Sequence, residues 1–456
     1  MKETIHLFHI NDLHSHFEHW DKIVTYMNEQ QAAYEEAGDL VFKLDIGDHV
    51  DRFHPYTEGT MGKGNVQLLN EAGINGATIG NNEGITLPHE GLNRLYDEAE
   101  FPVSVANLYK PDGNRPDWAL PYFIRVTPKG RRIAFFGVTA PFTELYHLLG
   151  WSVTDPFVEI ERIVNELKGK ADIIILLSHL GLPSDEIIAA RHPEISVILG
   201  GHTHHILHNG KKINNTLLCC AGKYGMFVGH VELTIDEGFI STRATLKDMR
   251  IDGLSEKEQE LATKLYQLGE VSLGERILTL KQPLKTEWFH KSELPDLLCH
   301  GMQEWCEADC AILNSGILLD GLEAKEVTKY DIHKICPHPI NPCVLTMTGE
   351  KLIQILNITL NPEWPHLQVK GLGFRGKVMG SFVYAGVQLI DTETKNRRWI
   401  LDGSEIAAQE LYRVVIPDMF TFGHLFPEIR EIENKTYLMP EFLRDILAWK
   451  LAMIAS

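Results

Sequence analysis

The chain is poor in the features that mark several protein classes. It has only seven cysteines in 456 residues (Cys219, Cys220, Cys299, Cys306, Cys310, Cys336 and Cys343). An odd, scattered set of this kind suits reduced thiols better than a disulfide framework. Cys306 and Cys310 lie one helical turn apart and could clip a metal, but no second pair stands nearby, which favours core or surface thiols. No apolar run reaches the roughly 18 residues that a spanning helix needs. The N-terminal MKETIHLFHIND has neither a secretory apolar core nor a small-residue cleavage site, so a soluble, cytoplasmic protein is expected. Basic residues are in deficit: Lys+Arg 43 against Asp+Glu 62 gives a formal charge of -19, which opposes a nucleic-acid scaffold. Low-complexity tracts and internal repeats are missing too, and a 44% hydrophobic content is ordinary for a folded protein. The length allows two or three domains.

From residue 4 to about residue 235, aliphatic and β-branched runs alternate with helical stretches. IHLFHI is followed by WDKIVTYMNEQQAAYEEAG, LVFKLDI and NVQLLNEAG, and later by ADIIILLSHLG and EISVILGGHTHH. Alternation of this kind predicts an α/β sandwich with largely buried strands. Residues 251–275 are charged, helix-prone and bounded by glycines, so they read as a connector. A second, mixed α/β domain follows, containing LPDLLCHGMQEWCEA, CAILNSGI, the strand-like SFVYAGVQLID and LYRVVIPDM, and a terminal helix. The expected division is 1–250, a linker over 251–275, and 276–456.

Five apolar runs of the first domain end in polar residues of a particular type. They deliver Asn11-Asp12-Leu13-His14, Gly47-Asp48-His49-Val50-Asp51, Asn81-Asn82-Glu83, Ser178-His179-Leu180-Gly181 and Gly200-Gly201-His202-Thr203-His204-His205. Strand carboxyl ends border the ligand crevice of open α/β sheets, so these clusters can meet although they are far apart in sequence. A lone aspartate at a strand end is often only a turn residue or a cap; five such clusters in one order are harder to explain that way. Asp12, Asp48, Asn81, His14, His179, His202 and His204 offer carboxylate, amide and imidazole donors without a thiolate, a set suited to Mn, Fe, Zn or Co. Seven donors exceed one ordinary site and fit two divalent ions sharing a carboxylate. Ions roughly 3.5–4 Å apart can hold a phosphoryl oxygen and activate water. With two carboxylates among the ligands such a centre stays positive and can attract a small phosphorylated substrate to an acidic protein.

These motifs resemble the calcineurin-like metallophosphoesterases, and among them the 5′-nucleotidase / UDP-sugar hydrolase / 2′,3′-cyclic phosphodiesterase group, with its bacterial YunD-type branch. The resemblance covers most of the chain and is more specific in the first domain. It implies a four-layer αββα sandwich followed by a smaller C-terminal domain that sets substrate specificity. It also implies that Asp12, His14, Asp48 and His204 hold one ion, and that Asp48 bridges to a second held by Asn81, His179 and His202. Asp48 and Asn81 then organise the catalysis. In the C-terminal domain it makes Phe382 and Phe420 a candidate clamp for a nucleobase.

Departures from the family pattern are specific. Its Asn-His-Glu becomes Asn81-Asn82-Glu83, and the aspartate that pairs with the missing histidine becomes Ile85. In the relatives that pair steadies the transition state, work on the order of 10²–10⁴-fold. Position 82 is therefore a catalytic candidate whose change either redirects the enzyme toward diesters, cyclic esters and pyrophosphates or leaves a metal- and ligand-binding protein with little turnover. His89, His49 and His16 are candidates to take the histidine's place. The family's glycine-rich turn ending in arginine appears as Asn314-Ser315-Gly316-Ile317-Leu318-Leu319 without an arginine, and its Gly-Gly-Asp-Gly turn as Phe422-Gly423-His424-Leu425-Phe426 without an aspartate. Asn314 and Arg375 stay as candidate substrate contacts. Oligomeric state is not encoded in any motif.

Overall fold

The computed structural model of the chain describes residues 2–236, 239–251, 253–391, 397–423 and 425–455. It divides into two compact units, Met1–Gly269 and Glu270–Ser456. The charged connector is a helix, Glu256–Ser272. Among the described residues no helix is long and apolar enough to cross a membrane.

Strands β1 (Glu3–Ile10), β2 (Leu40–Asp45) and β3 (Gly76–Ala77) lie side by side and parallel in a seven-stranded sheet. A second, six-stranded sheet contains β4 (Ile173–His179) and β5 (Ile195–Gly200), also parallel, with Ser178 opposite Gly200. The central strands of each sheet are buried on both faces. Ile5, Leu7, Leu44 and Ile46 of the first pack against Phe135, Ile175, Leu177, Val197 and Leu199 of the second. The far face of the second sheet, with Phe136, Ile174, Leu176 and Ile198, is covered by the helices Pro156–Leu167 and Leu182–Arg191 through Ile160, Ile163, Val164 and Ile188. Helix Trp20–Glu36 buries Trp20, Ile23 and Met27 and brings Tyr26 against Phe8 on the outer face of the first sheet. The expected αββα order results, because runs apolar at every position rather than every second one must be covered on both sides.

The second unit is built on a mixed five-stranded sheet ordered Phe382–Ala385, Cys310–Asn314, Leu411–Pro417, Pro342–Thr348, Lys435–Tyr437. The segment SFVYAGVQLID is not one strand. Gly386, at φ +78°, ends Phe382–Ala385 and starts Val387–Asp391 in a separate three-stranded sheet; a Cβ there would lie 2.4 Å from the Asp309 carbonyl oxygen. That combination of handedness and crowding leaves glycine alone. Cys306 and Cys310 are both buried, and among the described residues neither belongs to a group of ligating side chains.

Candidate metal centre

The carboxyl ends of β1 and β2 carry Asp12, His14 and Asp48, the helix Asn81–Thr86 starts just after β3, and β4 and β5 end at His179 and before His202. Parallel strands put all these ends on one side, and the candidate ligand atoms converge. His14 Nε2 lies 3.7 Å from Asp12 Oδ1, 3.6 Å from Asp48 Oδ2 and 3.2 Å from His204 Nε2. His204 Nε2 lies 3.4 Å from Asp12 Oδ1. On the other side of Asp48, His179 Nε2 is 3.3 Å from Asp48 Oδ2, and His202 Nδ1 is 2.8 Å from Asn81 Oδ1.

The donor set fits divalent ions. Ligand atoms about 2.1 Å from a shared ion sit roughly 3–3.5 Å apart, the spacing seen here. His179 Nδ1 faces the Ile46 carbonyl oxygen at 2.7 Å. A carbonyl only accepts, so Nδ1 carries a proton and Nε2 is the ring atom turned toward the carboxylates. That Nε2 is buried without a hydrogen-bond partner. Two groups of ligating atoms close enough to hold an ion emerge, Asp12–His14–His204 and Asp12–Asp48–His179.

The backbone is bent to achieve this. Asp12, His14, Asp48, His202 and His204 all adopt left-handed conformations, with φ of 51°, 49°, 52°, 70° and 57°. Non-glycine residues pay for this geometry, and it persists where surrounding bonds over-determine it. Here those bonds are Asp12 N–H to Gly47 O at 3.0 Å and His14 N–H to Asp48 O at 2.8 Å, which lock the first two strand ends together. Gly80 is required by approach: a Cβ would lie 2.1 Å from Asp48 Oδ1.

Charge inside the cluster is strongly perturbed. Burial works against the His179 cation, but the Asp48 and Asp12 carboxylates outweigh it and raise the imidazole to about 10. Burial likewise opposes ionisation of Asp48 and is outweighed by His179 and His14, which hold the carboxyl below its ordinary value. Without a competing cation the site would keep a proton on His179, which a bound divalent ion would displace. Burial, then the charge of Asp48, raises Glu83 to about 7.

Outer contacts orient the inner ones. Asp51 Oδ2 lies 3.3 Å from His14 Nδ1, and Asn11 Nδ2 donates to Asp12 Oδ2 at 2.7 Å. Glu83 accepts the N–H groups of Asp48 (3.0 Å), Val50 (2.9 Å) and Gly80 (2.8 Å), fastening the Asp48 loop to the start of the Asn81 helix. Asn11, Asp51 and Glu83 stand in the strand-end clusters, yet a reading by ligand type passes over them; for Glu83 the legible signal is its position three residues after the helix cap.

Asn82 is buried, and its amide donates to Asp48 Oδ2 at 2.7 Å while its N–H bonds Asp48 Oδ1 at 2.7 Å. Of the three histidines considered as replacements, two are occupied. His49 is buried and contacts Asn65, and burial lowers it to about 3. His89 donates from Nδ1 to Leu149 O at 2.9 Å and stacks on Trp151 at 4.4 Å. His16 is half-buried, with its ring 3.9 Å from that of Tyr224.

In the second unit the aromatic clamp is not formed. Phe382 and Phe420 touch one another, with ring centroids 5.9 Å apart and tilted by 43°. A base between parallel rings needs roughly 7 Å, two contact distances. Phe420 is only 1% exposed and packs on Phe426 at 5.0 Å, so it is a core residue. Asn314 is also fully buried; its Nδ2 donates to Met379 O at 2.9 Å, while its Oδ1 has no hydrogen-bond partner. Arg375 is half-buried; its N–H donates to His338 Nδ1 at 2.8 Å and its Nη1 to Phe374 O at 3.5 Å. His424, in the altered second turn, lies outside the described residues.

Comparison with known proteins agrees with this architecture. The profile of the calcineurin-like phosphoesterases matches residues 5–205, and that of the 5′-nucleotidase C-terminal domain matches residues 273–425. A Bacillus subtilis protein described as an uncharacterized metallophosphoesterase, YunD, is 49% identical over 461 residues, spanning 99% of this chain and 100% of its own. The 5′-nucleotidase of Vibrio cholerae is 22% identical over 97% of this chain and 89% of its own. Among solved structures, the Haemophilus influenzae NAD nucleotidase shares the fold at TM-score 0.65 and 16% identity, covering 99% of this chain and 96% of its own. A 5′-nucleotidase precursor from Thermus thermophilus does so at 0.56 and 19%, covering 99% and 97%. With its strand-end donors, its two units and this full-length relationship, the chain belongs to the calcineurin-like metallophosphoesterases that carry a 5′-nucleotidase C-terminal domain, hydrolases that work with divalent metal ions.

Proposed function

We propose that this chain hydrolyses phosphate esters or anhydrides of nucleotide-like small molecules. Asp12, His14, Asp48 and His204 hold one divalent ion, and Asp48, Asn81, His179 and His202 the other. The observation that carries the reading is His179, whose Nδ1 proton is committed to Ile46 O and whose buried Nε2 faces both carboxylates, 3.3 Å from Asp48 Oδ2 and 3.8 Å from Asp12 Oδ1. When bound, the ions supply Lewis acidity toward a phosphoryl oxygen and lower the pKa of a coordinated water.

The chain's own residues do the rest. Asp48, whose Oδ2 is 3.6 Å from His14 Nε2 and 3.3 Å from His179 Nε2, is held by Asn82 on one side and Glu83 on its backbone. Asp51 fixes the orientation of His14. Asn82, bonded to Asp48 and unable to act as an acid near neutral pH, gives no proton to a departing oxygen. Ile85 offers no carboxylate in its support. Substrates whose leaving group needs little protonation are therefore favoured: pyrophosphates, cyclic esters and activated diesters rather than nucleoside monophosphates. The Phe382–Phe420 contact also argues against a base sandwich at that place. We further assign the protein to the reducing cytoplasm, in keeping with seven cysteines that are all buried.

The test is metal analysis together with manganese-supported hydrolysis of p-nitrophenyl phosphate, bis-p-nitrophenyl phosphate, AMP and a nucleotide sugar. Two ions per chain and turnover of the diester or the nucleotide sugar well above that of AMP are expected. Bound metal with no turnover of any of the four would sink the hydrolase reading.

A further inference from the structure

Five strand ends bring donors to the candidate metal centre, and a sixth brings none. Strand Arg132–Thr139 runs parallel to β4 with Thr139 opposite His179, so its carboxyl end opens on the same side as the candidate ligands. It continues as Ala140-Pro141-Phe142, without an oxygen or nitrogen in any side chain. Thr139 is locked at both backbone groups by the buried Asn107, whose Oδ1 accepts its N–H at 2.9 Å and whose Nδ2 donates to its carbonyl oxygen at 2.9 Å.

Phe142 then precedes the short helix Thr143–Leu148, and its carbonyl oxygen accepts the Tyr146 N–H at 3.0 Å. Tyr146 is fully buried; its hydroxyl lies 3.3 Å from Thr139 Oγ1 and fills the space over Gly84, where no Cβ could stand. Gly84 belongs to the helix that presents Asn81 and Asn82. Segment 139–146 is thus fastened at both ends, to the sheet and to the helix of the candidate ligand Asn81.

Between those fastenings Phe142 stands 37% exposed, its ring centroid 6.0 Å from that of His202 and the two planes at 69°. Among the described residues it has no other aromatic partner. Tyr224, a ring 5.7 Å from His14, is by contrast taken up by the His16 ring at 3.9 Å and by Lys223 Nζ at 4.4 Å. Single exposed apolar side chains are common on protein surfaces. One held by buried residues beside a candidate metal ligand is the kind of apolar wall that ligand sites combine with a few polar anchors. A ring already fixed in place also loses little freedom when a ligand packs on it.

We propose that Phe142 is a specificity residue, the wall against which a planar aromatic ester group of the substrate packs on the His202 side of the metal centre. The proposal rests on the hydrolase reading above and deepens it: the first unit itself selects aryl-substituted phosphoesters over alkyl ones.

Calorimetry on the manganese-loaded full chain tests this with phenylphosphonate and methylphosphonate, two probes that resist hydrolysis and differ only in the organic group. Phenylphosphonate is expected to bind about ten-fold more tightly, as one aromatic contact allows. Phe142→Ala is expected to collapse the ratio of the two affinities toward one while manganese content and methylphosphonate affinity stay at the wild-type level, whereas Phe142→Trp keeps the ratio. A wild-type ratio near one, binding of neither probe, or a ratio that survives Phe142→Ala in a variant with unchanged thermal unfolding overturns the proposal. So does an equal loss of both affinities, which would mean that the variant harms the centre and removes no aryl contact. Hydrolysis of p-nitrophenyl phosphate by the wild type separates the two readings. Turnover without a phenyl preference removes only the wall, and a Phe142-dependent preference without turnover removes only the hydrolase.

Discussion

Asn82 grips both oxygens of Asp48, one through its side-chain amide and one through its backbone N–H, each at 2.7 Å. A histidine at position 82 would keep the backbone bond and give up the amide bond, so where this chain departs from the family pattern its asparagine serves as a brace for the Asp48 carboxylate. Asn82→His is therefore expected to raise the ratio of monoester to diester turnover on the order of ten-fold, with metal content held near the wild-type level. Equal ratios in the two proteins, measured with p-nitrophenyl phosphate and bis-p-nitrophenyl phosphate, would take position 82 out of the mechanism.

Asp51 orients His14 through a 3.3 Å contact to Nδ1. Carboxylate partners of ligating histidines typically contribute about 10–100-fold to metal affinity. Asp51→Asn should thus lose one of two manganese ions in a chelator competition at concentrations that leave the wild type loaded. Retention of both ions at wild-type affinity would show that the contact does not support the ligand.

Phe420 is core, 1% exposed and packed on Phe382 and Phe426. Truncation to alanine should cost about 3–5 kcal/mol in the unfolding of the second unit. Phe382→Ala, at a half-buried position, is expected to cost less. Nucleotide KM values that rise in both variants while stability stays constant would restore the base clamp.

His338 gives the second unit a pH dependence of known sign. Its Nε2 contacts Ile317 O at 2.7 Å and its Nδ1 accepts the Arg375 N–H, and burial, aided by the backbone bond's failure to compensate, lowers it from 6.5 to about 3. Between those values the unfolded chain binds the proton and the folded one does not, so this contribution is whole above about pH 6.5 and is lost as pH falls toward 3. Asp418 acts oppositely: burial raises it to about 7, so its folded form binds the extra proton and stability from this group grows as pH falls from about 7. His338→Gln should flatten the fall of Tm between pH 6.5 and 4 relative to wild type. A slope as steep in the variant as in the wild type would assign the acid sensitivity elsewhere.

Much of the candidate site was legible before any coordinates. Apolar runs such as IHLFHI and DIIILL could only be buried strands, and each ended in donors of one chemical kind, so their convergence followed from parallel pairing. Less was legible in the second unit, where Phe382 and Phe420 carry the right residue types but stand 5.9 Å apart. Gly386 divides an apparently continuous strand because of the Asp309 carbonyl, a neighbour 77 positions away that periodicity does not register.

Sequence by itself determined the buried strands, their polar ends and the inventory of oxygen and nitrogen donors, since side-chain chemistry and continuous apolar runs are local properties. Only the tertiary structure decided that Asn82 serves Asp48 and that Asp51 and Glu83 hold the inner residues. The reason is physical: a hydrogen bond or an ion pair depends on a few tenths of an ångström and on direction, and these are set by packing among segments that meet only after folding.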